Sequence, residues 1–192
     1  IVRLIIAKAL VERRGLFAFP GSFLRQPFPS QGPGPLRYSC PMFDVLVYLY
    51  EHYWRPDAFP DAGLLARKLT AVGFESDEIT DALTWLDGLN QVTLGAEALT
   101  VSDESTRVYA AAEMDRLGEE AFGFLHFLET AGVLTPTRRE MVLDRISASP
   151  TSPIALDDLK IIVLMVFWST GQEPDALVLD ELFTEPTERV FH

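Results

Sequence analysis

The chain of 192 residues has a single cysteine, Cys40, so an internal disulfide is excluded. That usage fits a reducing compartment, and a cytoplasmic location is expected. Its three histidines, His52, His126 and His192, are far apart, and none belongs to an HxxxH or HExxH pattern. With no cysteine beyond position 40, zinc-type ligand spacing is missing, and no metal or cofactor is expected. A glycine-rich phosphate loop and a Gly-x-Ser-x-Gly elbow are also lacking, so no enzyme is expected. The longest apolar run, residues 161–168, is eight residues long, against about 20 for a membrane-crossing helix. Basic residues are scarce: 16 against 28 acids, for a net charge of −12. Such a chain repels phosphate backbones, because nucleic-acid affinity comes largely from cations that displace counterions. An anionic membrane surface repels it for the same reason. Direct nucleic-acid binding is therefore not expected, and a neutral or basic protein partner fits better.

What remains is an ordinary globular composition, 48% hydrophobic and 23% charged. The length suits one domain or two small ones with a sizeable core. The first 41 residues differ from the rest. They hold six basic residues against one acid, a local charge of +5 that leaves −17 for residues 42–192. They also hold six of the 13 prolines, and residues 26–41 are too rich in Pro, Gly and Ser for regular structure. Three readings compete for this segment: a targeting peptide, a flexible arm, or translated upstream sequence with Met42 as the native start. The third is preferred, because a secretory signal needs a small-residue cleavage site close behind its apolar stretch. Residues 1–41 are thus expected to be a non-native or disordered extension.

From Met42 on, the pattern is helical. Apolar residues at 42, 43, 46, 49, 50 and 53 predict a first helix, ended by Pro56 and Pro60. Asp61 is placed to cap a second helix over 62–72, with Gly73 as its stop. Ser76 is expected to cap a third over 77–89, with Ile79, Leu83 and Leu86 on its inner face and Trp85 beside them. Residues 91–94 and 106–109 are short and β-branched, with turn residues between them, and predict a small hairpin. Helices resume from Ala111, with a dense stripe at Phe122, Leu125, Phe127 and Leu128. Thr137 and Glu140 have capping-box spacing for a helix to about Ser147. Asp157 is expected to cap a helix over 158–169, apolar enough to be buried on most sides and closed by Gly171. A last helix is expected over 175–183.

Four stretches together resemble a known family: MFDVLVYL at 42–49, LARKLTAVGFESDEITDALTWL at 65–86, TRREMVLDR at 137–145 and LDDLKI at 156–161. The resemblance is to the bacterial Smg family and covers residues 42–192. It implies no established activity and no catalytic residues. It also implies a gene often beside that of DNA-processing protein A. A weaker local likeness, from Lys68 through Gly73 and Phe74 to Leu86, is to the helical repeat of RecX-type recombination regulators.

The helix order over 42–110, with the hairpin as a wing, suits a winged helix. A DNA-reading version would need Arg, Lys or Asn on its third helix. Here that helix carries Asp77, Glu78, Asp81 and Asp87 and no cation, so a protein-binding or structural version is expected. His126, among aromatic residues, is expected to be a partly buried structural imidazole. The acid pairs Glu119–Glu120 and Asp157–Asp158 are expected to serve helix starts rather than acid–base chemistry. Trp54, Trp85 and Trp168 are expected in the core. Arg138, Arg139 and Arg145 are the densest cations of the body, and Arg67 and Lys68 lie on the second helix. These five are the candidate partner contacts, with surface salt bridging as the ordinary alternative.

The expectation is therefore a mainly α fold: a helical bundle with a winged-helix-like half over 42–110, one small β-hairpin, and a helical half over 111–192. The expected function is that of a non-enzymatic cytosolic protein-interaction module. The alternative is a regulator associated with a DNA-processing or recombination protein.

Overall fold

The structure, a computed structural model, describes residues 40–53, 61–96 and 107–171. Trp54, the helix-ending Pro56 and Pro60, Thr106, His192, residues 1–39 and the helix expected over 175–183 lie outside the described residues. All regular structure among the described residues is helical. Six helices follow in order: α1 Pro41–His52, α2 Ala62–Val72, α3 Ser76–Ala96, α4 Ala111–Thr130, α5 Pro136–Ser147 and α6 Leu156–Ser169.

The centre is α6. Every residue from Asp158 to Trp168 is buried, because α1, α3, α4 and α5 all pack against it. α1 begins with Pro41, whose fixed φ suits a first turn and whose missing N–H is no loss there. It buries Phe43, Val45, Leu46 and Leu49 completely. One hydrophobic cluster draws on all six helices.

α2 is built as its termini predict. The Asp61 carboxylate accepts the Gly63 N–H at 2.9 Å. At the other end Gly73, at φ +114°, lets its own N–H and that of Phe74 reach the Leu69 carbonyl, both at 3.2 Å. Only Leu65 and Leu69 of α2 are buried, so this helix lies against α3 at the edge of the body.

α3 departs from expectation. It runs 21 residues and continues straight through residues 91–94, which removes the predicted hairpin. The described part of its second strand, residues 107–109, has no regular structure. Continuing the helix keeps backbone bonds that a strand would have to replace, and β-branched residues cost it only a few tenths of a kcal/mol each. Val92 packs on the core. The Thr93 hydroxyl donates to the Leu89 carbonyl at 2.8 Å and lies 3.1 Å from Ser169 Oγ of α6. Tertiary contacts thus override the local β preference. Without that hairpin the winged-helix order is not formed by the described residues.

Helix starts also move. Ser76 is the first residue of α3 rather than its cap: the Glu75 carbonyl accepts from Ile79, and the Glu75 N–H donates to Glu78 Oε2. The cap of α5 lies two residues before the predicted one: Thr135 accepts the Arg138 N–H at 3.4 Å, and Pro136 is in the first turn. Thr137 is inside the helix, and Glu140 is free to meet arginines instead. At α6 the cap position is Ala155, which places Asp157 and Asp158 in the first turn. Their charge still faces the positive end of the dipole.

Within α4 the backbone breaks at Gly118, with φ 70° and ψ 173°. The expected start of a helix at Glu119–Glu120 corresponds to this break. Two other expectations hold: Gly171, at φ 67°, follows α6, and Trp85 and Trp168 are buried.

Candidate functional site

The five candidate contact residues do not form one patch. Arg67 and Lys68 are exposed on α2. Arg138 is half-buried with its guanidinium 4.8 Å from the centre of the Phe167 ring, and burial lowers its pKa. Arg139 and Arg145, expected on the surface, are each only 8% exposed. The α5 helix turns both inward because each finds oxygen acceptors there, which a buried cation requires.

Arg145 reaches α3. Its Nη1 donates to the Trp85 carbonyl at 2.9 Å, its Nε donates to Asp144 at 2.9 Å, and the guanidinium lies over the Trp85 ring at 5.7 Å. The Trp85 indole N–H donates back to the Arg145 carbonyl at 3.1 Å. Gly88 makes room: a Cβ there would overlap the guanidinium.

Arg139 belongs to a second and larger polar cluster. Its Nη2 is 2.9 Å from Glu140 Oε1 and its Nε is 3.3 Å from Glu129 Oε1. Arg107 meets the same Glu140 oxygen, at 3.0 Å, and bonds Glu113 at 2.6 Å. Glu113 also accepts the Ala110 N–H at 2.7 Å, closing the first turn of α4. That backbone bond, aided by Arg107, holds the Glu113 carboxyl below the usual carboxylate range. Burial disfavours the Arg107 charge, but Glu113 and Glu140 outweigh it and raise its pKa. The Tyr109 hydroxyl donates to Glu129 at 3.0 Å. Burial and then the Glu129 carboxylate push its phenol well above the ordinary value.

His126 is beside this cluster but not in the core. Its side chain is 68% exposed, stacked parallel to Phe122 and 3.8 Å from Glu129, which corrects the partly buried reading. His52 is exposed as well, stacked on Tyr48 at 3.9 Å. Among the described residues no three His, Cys, Asp or Glu side chains gather so as to hold a metal ion. No helix among them is long and apolar enough to cross a membrane.

The clearest surface feature is on α3. Asp77, Thr80, Asp81, Thr84, Asp87 and Gln91 recur every three or four residues and are all exposed. They form one side of the helix, opposite Ile79, Ala82, Leu86 and Leu89, which are buried. The helix has no Lys or Arg anywhere along its length.

The polar cluster around Glu129 and Glu140 is absent from the sequence reading. Its members are spread over 34 positions, and no spacing rule joins Arg107 to Glu140. The acidity of α3 was visible from the start.

A family profile described as "Protein of unknown function (DUF494)" matches residues 42–192. The chain is similar to a Smg homolog of Leptothrix cholodnii, 60% identical over 151 residues, or 79% of this chain and all of the relative. A Smg homolog of Methylibium petroleiphilum is 58% identical over the same shares of both chains. One from Bordetella pertussis is 49% identical over 152 residues, again covering 79% of this chain and the whole relative. No solved structure matches.

Proposed function

Since the chain belongs to the Smg family, a family of unknown function (DUF494), we propose its function from its own surface: it is a non-enzymatic cytosolic protein that binds a protein partner through the acidic side of α3. The observation that carries this reading is the exposed row Asp77, Asp81 and Asp87 with no cation on the helix. Such a face is repelled by phosphate and attracted to Lys- or Arg-bearing protein surface. The arrangement of the arginines supports the same reading. Arg107, Arg139 and Arg145 are engaged with carboxylates of this chain, so they are not spread into a groove that could follow a nucleic-acid backbone. Arg67 and Lys68, exposed on α2, which packs on α3, and Arg138 on α5 serve as further partner contacts.

A role beside a DNA-processing or recombination protein is compatible with this reading through protein contact alone. Two measurements on the full chain test it. Fluorescence anisotropy with a labelled duplex at low salt is expected to show no tight binding. Capture from native lysate is expected to retain a partner that is lost with Asp77→Lys, Asp81→Lys and Asp87→Lys together. Tight duplex binding that weakens steeply with salt, or a partner indifferent to the charge reversal, overturns the proposal.

A further inference from the structure

We propose that residues 107–117 form an arm that leaves the body as a unit by rotating about Gly118. Three observations meet there. The first is the weakness of the apolar attachment. Of these eleven residues only Leu117 is buried, while Val108 is 80% exposed and Met114 37%. Beyond the break, Ala121, Leu125 and Leu128 are all buried. The second is the backbone at Gly118, which is far from helical and interrupts α4 between the two parts. A glycine at positive φ has no Cβ to resist a change in backbone angles, and hinges draw on such positions.

The third is how the bonds divide. Some hold the arm together: Arg107 to Glu113 at 2.6 Å, and the Ala110 N–H to Glu113 at 2.7 Å. Others tie it to the body, and apart from the packing of Leu117 and the Tyr109 ring on the core they are polar. Arg107 meets Glu140 at 3.0 Å, and Tyr109 donates to Glu129 at 3.0 Å. Arg116 Nη2 donates to the carbonyls of Ser147 and Ser149, at 2.7 and 3.0 Å, and the Arg116 carbonyl accepts the Ile154 N–H at 2.7 Å. Water can replace each of these bonds at small net cost, whereas it cannot replace apolar packing. Segments with few buried apolar contacts open locally well below the free energy of global unfolding.

Opening has a defined consequence. Tyr109 packs its ring against Phe122 at 5.1 Å, edge to face, and Phe122 stacks with His126. The departing arm uncovers the Phe122 ring and frees the Ser147 and Ser149 carbonyls that Arg116 caps at the end of α5. The arm is a conformational device of the fold itself and does not depend on the identity of any partner.

Native-state hydrogen exchange on the full chain tests it. Amides of 114–117 are expected to exchange together, roughly tenfold or more faster than those of 124–130, with the step in protection at Gly118. In the variant Arg107→Ala/Arg116→Ala the arm is expected to exchange roughly tenfold faster again, with 124–130 and 141–147 unchanged. Equal protection on both sides of Gly118 in the unmodified chain overturns the proposal, and that comparison decides even if the variant does not fold. A variant that accelerates both sides equally overturns it as well.

Discussion

The Trp85 indole N–H donates to the Arg145 carbonyl, and the Arg145 guanidinium donates to the Trp85 carbonyl, so the two residues bind each other's backbone across 60 positions of sequence. Side chain and main chain of both partners are committed at once, which fixes α3 against α5 in one register. Removing one member leaves a buried donor or acceptor without its partner, the expensive side of hydrogen-bond energetics. Trp85→Phe keeps an aromatic ring in the core but deletes the indole donor and the volume of one fused ring. It is expected to lower stability by about 2–4 kcal/mol in urea unfolding. Arg145→Ala, which empties the site, is expected to cost about 3 kcal/mol or more.

Gly88 is required by the same contact. Gly88→Ala places a methyl group where the Arg145 guanidinium lies and is expected to destabilise by about 1–3 kcal/mol, although alanine is the better helix former. Gly123→Ala is the control: nothing lies within 4 Å of a Cβ there, and a gain of about 0.5–1 kcal/mol is expected. Opposite signs for two Gly→Ala changes in helices separate packing from propensity. A gain at Gly88 would show that Arg145 can move aside freely.

The two threonines at the start of α5 distinguish the cap from its neighbour. Thr135 accepts the Arg138 N–H, so Thr135→Ala is expected to cost about 1 kcal/mol. Thr137→Ala is expected to stay within about 0.5 kcal/mol. Thermal unfolding of the pair checks the assignment, and a reversed order would restore the box at Thr137 and Glu140.

The polar cluster predicts opposite behaviour at the two ends of the pH scale. Glu113 has a lowered pKa in the folded chain. In acid the unfolded chain therefore takes up the proton first, and the stabilisation present above the ordinary carboxylate pKa is lost as pH falls through the folded value. Glu113→Gln is expected to flatten that acid decline. Tyr109 has a raised pKa. Above about pH 10, the ordinary phenol value, the unfolded chain loses its proton first, so stability falls as pH rises further. Tyr109→Phe is expected to reduce this alkaline loss while costing stability at neutral pH through the missing bond to Glu129. Urea midpoints measured across the pH range decide both.

How much of this was legible in the sequence depended on the range of the signal. α2 could be bounded to the residue, because Asp61 and Gly73 act on backbone groups within four positions of themselves. The burial of α6 followed from an apolar run that leaves no polar side to face water. The start of α5 was misplaced by two residues because Thr135 before Pro136 is as good a signal as Thr137 before Glu140, and both are local. Residues 91–94 were misread for a different reason. Their β-branched character favours a strand, but the contacts of Val92 and Thr93 with the body are absent from any local window. Arg139 and Arg145 looked like surface cations because their neighbours Glu140 and Asp144 suggest exposed pairing, while the partners that draw them inward, Glu129 and the Trp85 carbonyl, lie on other helices.

The sequence alone determined the helical character, several helix ends, the acidity of α3 and the family to which the chain belongs. These rest on short-range backbone chemistry, on charge counting and on similarity along the chain. Tertiary structure decided that α3 runs on past residue 90, that two arginines of α5 are buried, and that Tyr109, Glu129, Arg139, Glu140 and Arg107 form one cluster. The physical reason is that burial and long-range hydrogen bonding depend on which surfaces meet across the fold, and no local run of residues contains its own packing partner.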